Sequence, residues 1–480
     1  MSADTRVDLV VLGAGPAGIN AAITAASHGL SVVLVEQNHA AGGQVFRPMP
    51  AQFRALPHHK PSAELKLGDE LREKLKHSNV QARFSHTVWN ISPGFRVDAV
   101  GPDGPVHWDC QAVIAAGGTT ERVVPFPGWT LPGVLGLAAA TIMLKSQNML
   151  PGKNTLVAGC GPLLAAVGAG IVKGGGIVAA LVDASPKSTW LKSAPSLLSR
   201  PDLIWQGLTW LGKIKSTGAP VLSAHAIERV EQDGEQLRAT LAPVDAQRRF
   251  ILGAPKKTIL VDTVVVGNGL VPGTDITRAL RATHEFVNEL GGWVPLIDDY
   301  CRTSVSKLYS AGDSCGISGA AAAIHHGELA GLAVAHDLGK LDEANFFDLT
   351  RKVQPRLARA QSFGRTMGAL MALPPKQVES IEPSTIICRC EDVTRREIDD
   401  AVSSGAGDMN QVKAWTRCGM GPCQGRSCGD VAASLVALKL GSREKAGWFS
   451  GRAPMRPVSL EQLTGNYEYD DIPVPKAAPL

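Results

Sequence analysis

Residues 7–36 read VDLVVLGAGPAGINAAITAASHGLSVVLVE. An apolar run reaches the turn Gly13-Ala14-Gly15-Pro16-Ala17-Gly18, an alanine-rich helical run follows, and a second apolar run ends on Glu36, with Gln37 beside it. Strand, glycine turn, helix, strand and acid stand in the order a dinucleotide site requires. Gly13 allows the tight turn, Gly15 lets the backbone approach a pyrophosphate, and Gly18 lets helix and strand pack closely. The helix start offers free N–H groups and a positive dipole end to phosphates. Glu36 is placed to accept hydrogen bonds from a ribose. The full context makes this far more specific than a glycine pattern alone.

A distant stretch completes the same site. Residues 303–313, TSVSKLYSAGD, resemble the second flavin motif of the glutathione-reductase-like flavoproteins. The resemblance implies that Asp313, after Gly312, bonds a ribityl chain. It also implies that the next helix, from about residue 317 to 331, aims its positive end at a flavin ring. FAD therefore leads NAD as the cofactor of this first site. The loop Gly42-Gly43-Gln44-Val45-Phe46-Arg47 has the GGQ form that runs beside the flavin in such proteins, which adds Gly43, Gln44 and Arg47 to the candidates.

With 480 residues the chain suggests roughly two to four domains, and 44% hydrophobic against 19% charged residues allow a large core. A net charge of +4 and no basic stripe with interleaved aromatics argue against nucleic acid. No apolar run reaches membrane-spanning length, and the N-terminus lacks the pattern of a secretory signal. The chain is expected in the cytoplasm, where its nine cysteines need a role other than structural disulfides.

Residues 155–183 repeat the opening pattern, with Gly159, Gly161 and an acid at Asp183. Two nucleotide-binding folds follow from the repeat. Leu164 replaces the third glycine, so a working NAD site and an inherited, silent fold stay equally open. Asp183 would favour NAD over NADP. Residues 190–215 read as an interruption carrying an apolar helical stripe with Trp205 and Trp210; core packing is the ordinary role of such a stripe, docking the rarer one. His58-His59 and His325-His326 read as loop and helix-packing residues. The expected division is an FAD-binding domain at 1–150 with 262–340, and a second nucleotide domain at 151–261 with a helical insertion at 186–215. A helical linker at 341–384, a cysteine domain at 385–442 and a tail at 443–480 complete it.

Five cysteines fall in that last domain. Cys388-Arg389-Cys390 is followed after 32 residues by Cys423, and after four more by Cys428. The chain between reads as a helical hairpin whose first helix opens on a capping box, Thr394 to Glu397. Four thiolates suit zinc or an iron–sulfur cluster. The Cys-x-Cys pair, the glycine-rich loop and the flavin's need for an electron partner favour the cluster. Cys418 precedes Cys423 by the interval at which Cys428 follows it, so spacing alone does not choose between them.

The runs VPFPGWTLPGV (124–134), AGCGPLL (158–164), YSAGD (309–313), CRCEDVTR (388–395) and TRCGMGPCQGRSC (416–428) together resemble the FAD-containing subunit of the opine oxidase, D-hydroxyproline dehydrogenase and hydrogen cyanide synthase family. That resemblance implies an α/β fold with two Rossmann-like domains and a small helical domain of the bacterioferritin-associated-ferredoxin type. It implies a [2Fe–2S] cluster on Cys388, Cys390, Cys423 and Cys428. It further implies, as partner, a D-amino-acid-oxidase-like FAD subunit, in some relatives a small ferredoxin-like subunit, and in some an FMN at the subunit interface. The chain then reads as an FAD-dependent oxidoreductase that relays electrons from a C–N bond oxidised on the partner toward a respiratory or dye-like acceptor, which would allow peripheral association with a membrane. A stand-alone NAD(P)H-dependent FAD/iron–sulfur reductase is the enzymatic alternative, and a docking scaffold around a silent adenine nucleotide the non-catalytic one. No Cys-x-x-Cys pair exists, which disfavours a disulfide reductase.

Overall fold

The computed structural model describes residues 6–54, 62–197 and 200–464; His58, His59 and the tail beyond residue 464 lie outside them. The strand Arg6–Leu12 is buried along nearly its whole length, as befits a parallel strand covered on both faces. It pairs in parallel with Val32–Val35 on one side and with Gly104–Ala115 on the other. Gln81–Arg83 and Leu308–Ser310 extend the parallel sheet, and Arg96–Gly101 and Thr87–Ser92 add antiparallel strands. Between the first two strands runs the helix Pro16–Ser27, opened by a proline whose missing N–H costs nothing there. It packs on the helix Ala320–Asp337 so closely that a Cβ on Gly327 would fall 2.0 Å from the Ala17 carbonyl oxygen.

The second sheet is wholly parallel, ordered Val221–Ser223, Ile177–Asp183, Asn154–Gly159, Thr263–Gly267, Val134–Gly136. Two expected boundaries shift accordingly. Val134–Gly136 and Thr263–Gly267 belong to the second domain, not the first, because each is held in register by that sheet's hydrogen bonds. Outgoing and returning chain then run side by side as the antiparallel ribbon Thr119–Glu121 and Leu270–Pro272. The presumed insertion is also part of the fold. The helix Pro201–Lys215 is the crossover into Val221–Ser223, with Ile214 fully buried near Gly168. Its other face leaves Trp205 72% exposed and Leu208 57% exposed.

The helix Glu343–Leu370 packs back along Ala320–Asp337. Beyond it lies a module with its own core: the ribbon Ile386–Cys388 with Val393–Thr394, and the helices Arg395–Ser403, Met409–Thr416 and Gly429–Leu440. Thr394 and Glu397 close the expected capping box.

Candidate functional site

The first glycine turn opens on a cavity of about 310 Å³ at the carboxyl ends of the first sheet. Gly13, Gly15, Pro16, Ala17, Glu36, Gln37, Gly43, Gln44, Gly312 and Asp313 line it, so residues from three stretches meet there. Gly18 lies behind the turn, where its Cβ would stand 1.8 Å from the Gly13 carbonyl oxygen. Glu36 is buried; its carboxylate accepts from the Ala14 N–H at 2.7 Å and the Asn38 N–H at 2.8 Å. Four lone-pair sites on a carboxylate leave capacity for a ribose hydroxyl. Arg47 departs from expectation. It does not line the cavity but supports Gln44, donating to its Oε1 at 3.0 Å.

Asp313 accepts from the Ser318 and Gly319 N–H groups, each at 2.9 Å. Burial raises its pKa, which those two donors partly offset. It thereby fixes the start of the helix Ala320–Asp337, whose Ala320 and Ala323 line the cavity. His326, in the same helix, packs rather than faces the cavity. Burial, and then Arg365, pushes its pKa down to about 4. It stays neutral and accepts from Gln361 Nε2 at 2.7 Å. A folded pKa below the unfolded value means that the unfolded chain takes the proton first. The stability His326 contributes is complete above about pH 6.5, and is lost progressively down to about pH 4. Melting temperatures across that window should show His326→Gln with a shallower slope than wild type, by at most roughly 3 kcal/mol. His284, also held near 4, titrates alike in both proteins. An unchanged slope would assign the acid sensitivity to other groups.

Sequence reading missed part of the cavity wall. Met455 and Arg456, from beyond the cysteine module, return to line it with Asp275. Asp275 Oδ2 accepts from Arg456 at 3.0 Å and from Arg426 at 2.8 Å. Arg426 lies inside the Cys423–Cys428 loop and also donates to the Met455 carbonyl at 2.8 Å. One carboxylate thus joins the cysteine loop to the nucleotide cavity. No motif signals it, since its partners are 151 and 181 residues away.

The cysteines divide by depth. Cys388, Cys418 and Cys428 are buried, with their sulfurs within 4.8 Å of one another. Cys390 is exposed and Cys423 half-buried. Cys388 and Cys428, expected as ligands, are thus joined by Cys418. The module is locked to the body by a buried ion pair. Arg122 Nε meets Asp430 Oδ2 at 2.7 Å, and the remaining Arg122 nitrogens reach the Met371 and Gly291 carbonyls at 2.9 and 2.8 Å. Arg443 takes the other Asp430 oxygen at 2.9 Å. Trp129, in the proline-rich crossover, donates to the Ile386 carbonyl at 2.7 Å, just before Cys388.

The second glycine turn is filled by the chain itself. A Cβ on Gly161 would lie 2.6 Å from Met371 Cγ, and one on Gly269 would lie 2.7 Å from the Met371 carbonyl oxygen. Buried Arg248 clamps the same segment through the Leu370 and Ala372 carbonyls at 2.9 and 3.1 Å. Asp183 is engaged at both oxygens, by the Ser185 N–H at 2.8 Å and Trp190 Nε1 at 3.0 Å. A gap of about 50 Å³ is left beside Gly159.

Residues 7–327 match the model of the pyridine nucleotide-disulphide oxidoreductases, to which this chain belongs, and residues 386–437 match the BFD-like [2Fe-2S] binding domain. It is an FAD-dependent oxidoreductase with FAD and a [2Fe–2S] cluster as cofactors. More particularly, it is 31% identical to an opine oxidase subunit from Agrobacterium tumefaciens (strain Ach5), over 95% of this chain and 91% of the relative. It is 30% identical to hydrogen cyanide synthase subunit HcnB of Pseudomonas aeruginosa, over 94% and 96%. Among solved structures, L-proline dehydrogenase from P. horikoshii superposes with a TM-score of 0.68 at 20% identity, covering 95% of this chain and 79% of that one, a likeness of fold. The residues present suit both groups. The Gly15 side of the turn is open toward the cavity, where a Cβ would meet only the Gly43 Cα, at 3.9 Å. The sulfur donor set suits iron.

Proposed function

We propose that this chain is the electron-relay subunit of a multi-subunit dehydrogenase, whose D-amino-acid-oxidase-like partner oxidises the C–N bond of an amino acid, imino acid or opine. The observation that carries the reading is the filled second crevice. A self-contained reductase needs a place for a nicotinamide donor, and Arg248 holds residues 370–377 against the second glycine turn. The relatives named as subunits of opine oxidase and hydrogen cyanide synthase support the same reading.

In this proposal Gly13, Gly15, Pro16, Ala17 and Gly312 cradle the pyrophosphate side of FAD. Glu36 and Gln37 hold the ribose, Asp313 the ribityl chain, and Gly43 and Gln44 border the ring. Cys388, Cys390, Cys423 and Cys428 hold the cluster. FAD accepts electrons in pairs and releases them singly, which suits a one-electron centre. The chain's part is to fix distance and exclude water. The Arg122–Asp430 pair and Asp275 hold the cysteine module against the cavity, and exposed Cys390 marks the side from which electrons leave. An FMN at the subunit interface and a third, ferredoxin-like subunit belong to the same proposal. So does a cytoplasmic location, which the nine free thiols suit. No helix among the described residues is long and apolar enough to cross a membrane.

The test is an anaerobic visible spectrum of the purified chain. Flavin and cluster bands should be present and unmoved by NADH, and should bleach with an amine substrate once the partner is added. Bleaching by NADH with the chain alone would make it a reductase.

A further inference from the structure

The cluster site contains one thiol more than a [2Fe–2S] centre uses. Each iron of such a centre takes two protein thiolates. On the outer side stand exposed Cys390 and half-buried Cys423. On the inner side there are three candidates for two places, since Cys388, Cys418 and Cys428 converge within 4.8 Å. Cys418 is completely buried, and its sulfur lies 3.9 Å from Cys428 Sγ. A buried structural cysteine ordinarily sits among apolar groups and is inert. This one faces two other sulfurs. The chain holds it there through the left-handed Arg417 (φ 65°), which ends the helix Met409–Thr416, and through the Thr416 Oγ1 that accepts its N–H at 3.1 Å. Cys428 arrives from a different element, at the start of the helix Gly429–Leu440. The two thiols are therefore mounted independently, and removing one leaves the mount of the other intact.

We propose that Cys418 is a reserve ligand of the inner iron, able to take the place of Cys428 or of Cys388. The exchange is a ligand substitution. One Fe–S(cysteine) bond forms as another breaks, and the proton leaving Cys418 passes to the departing thiolate. Nothing is oxidised or reduced. Where alanine has removed the original thiolate, that proton goes to solvent.

The inference rests on the cluster assignment, and the experiment separates the two. The full chain is purified anaerobically as wild type, Cys418→Ala, Cys428→Ala, Cys388→Ala and the double variant Cys418→Ala/Cys428→Ala. Iron, acid-labile sulfide and the electron paramagnetic resonance of the reduced protein are measured, with circular dichroism to follow the fold. A wild type without acid-labile sulfide would sink the cluster assignment itself. With the cluster present, Cys418→Ala should keep wild-type iron, sulfide and resonance. Cys428→Ala should keep iron and sulfide with shifted g values, Cys388→Ala should behave likewise, and the double variant should lose both elements. Loss of iron from both Cys388→Ala and Cys428→Ala, folded or not, overturns the reserve role. So does loss of the cluster from Cys418→Ala alone, which would make Cys418 a resident ligand.

Discussion

Arg122→Met should cost the protein at most about 3–5 kcal/mol, the scale for removing one partner of a buried ion pair, because Arg443 still holds the other Asp430 oxygen. Asp430 is buried. Burial by itself would raise its pKa, yet Arg122 and Arg443 hold it below the usual carboxylate range. Without Arg122, its Oδ2 loses its 2.7 Å partner and the Met371 and Gly291 carbonyls lose their donor. The lesion falls where the crossover ribbon, the linker and the cysteine module meet, so its effect should be regional. The cysteine module should loosen first, which limited proteolysis between residues 371 and 385 would detect before global melting. Arg417→Met is the control. Arg417 also makes a 2.7 Å ion pair, with Glu391, but its side chain is 66% exposed. Water replaces such a partner, and the melting temperature should not move. If Arg122→Met melts like wild type and resists protease equally, the buried pair does not hold the module in place.

The contrast between Arg122 and Glu36 shows what a sequence can carry. Glu36, the glycine turn and Asp313 were legible because each is fixed by near neighbours: a strand end, a turn needing glycine, a helix start. The cysteine module was legible because a metal centre imposes ligand type and spacing. Arg122 and Asp430 are 308 residues apart, and nothing periodic relates them. The same holds for Met371, which packs against Gly161 at the second glycine turn. It holds again for Arg456, which reaches the cavity only because the tail returns over the body. The boundary errors have a related cause. Val134–Gly136 and Thr263–Gly267 are short apolar strands that would suit either sheet, and only hydrogen-bond register assigns them.

Two single-methyl substitutions in the same glycine turn should separate folding from cofactor binding. At Gly18 an added Cβ would stand 1.8 Å from the Gly13 carbonyl oxygen and 3.0 Å from its carbon. These are backbone atoms, with no flexible side-chain end to give way, so the turn must open. Gly18→Ala should accordingly yield protein without a flavin band and with a lowered melting temperature even as apoprotein. At Gly15 the added Cβ would meet only the Gly43 Cα, at an ordinary 3.9 Å. Gly15→Ala should fold, and its apoprotein should melt like wild-type apoprotein. Its methyl would instead stand where a pyrophosphate must approach the backbone. FAD affinity should fall on the order of 100-fold, about 2.7 kcal/mol, measured by titrating FAD into the apoprotein. Full retention of FAD by Gly15→Ala would mean that the pyrophosphate does not cross this turn, and the cofactor's course through the cavity would have to be redrawn from Asp313.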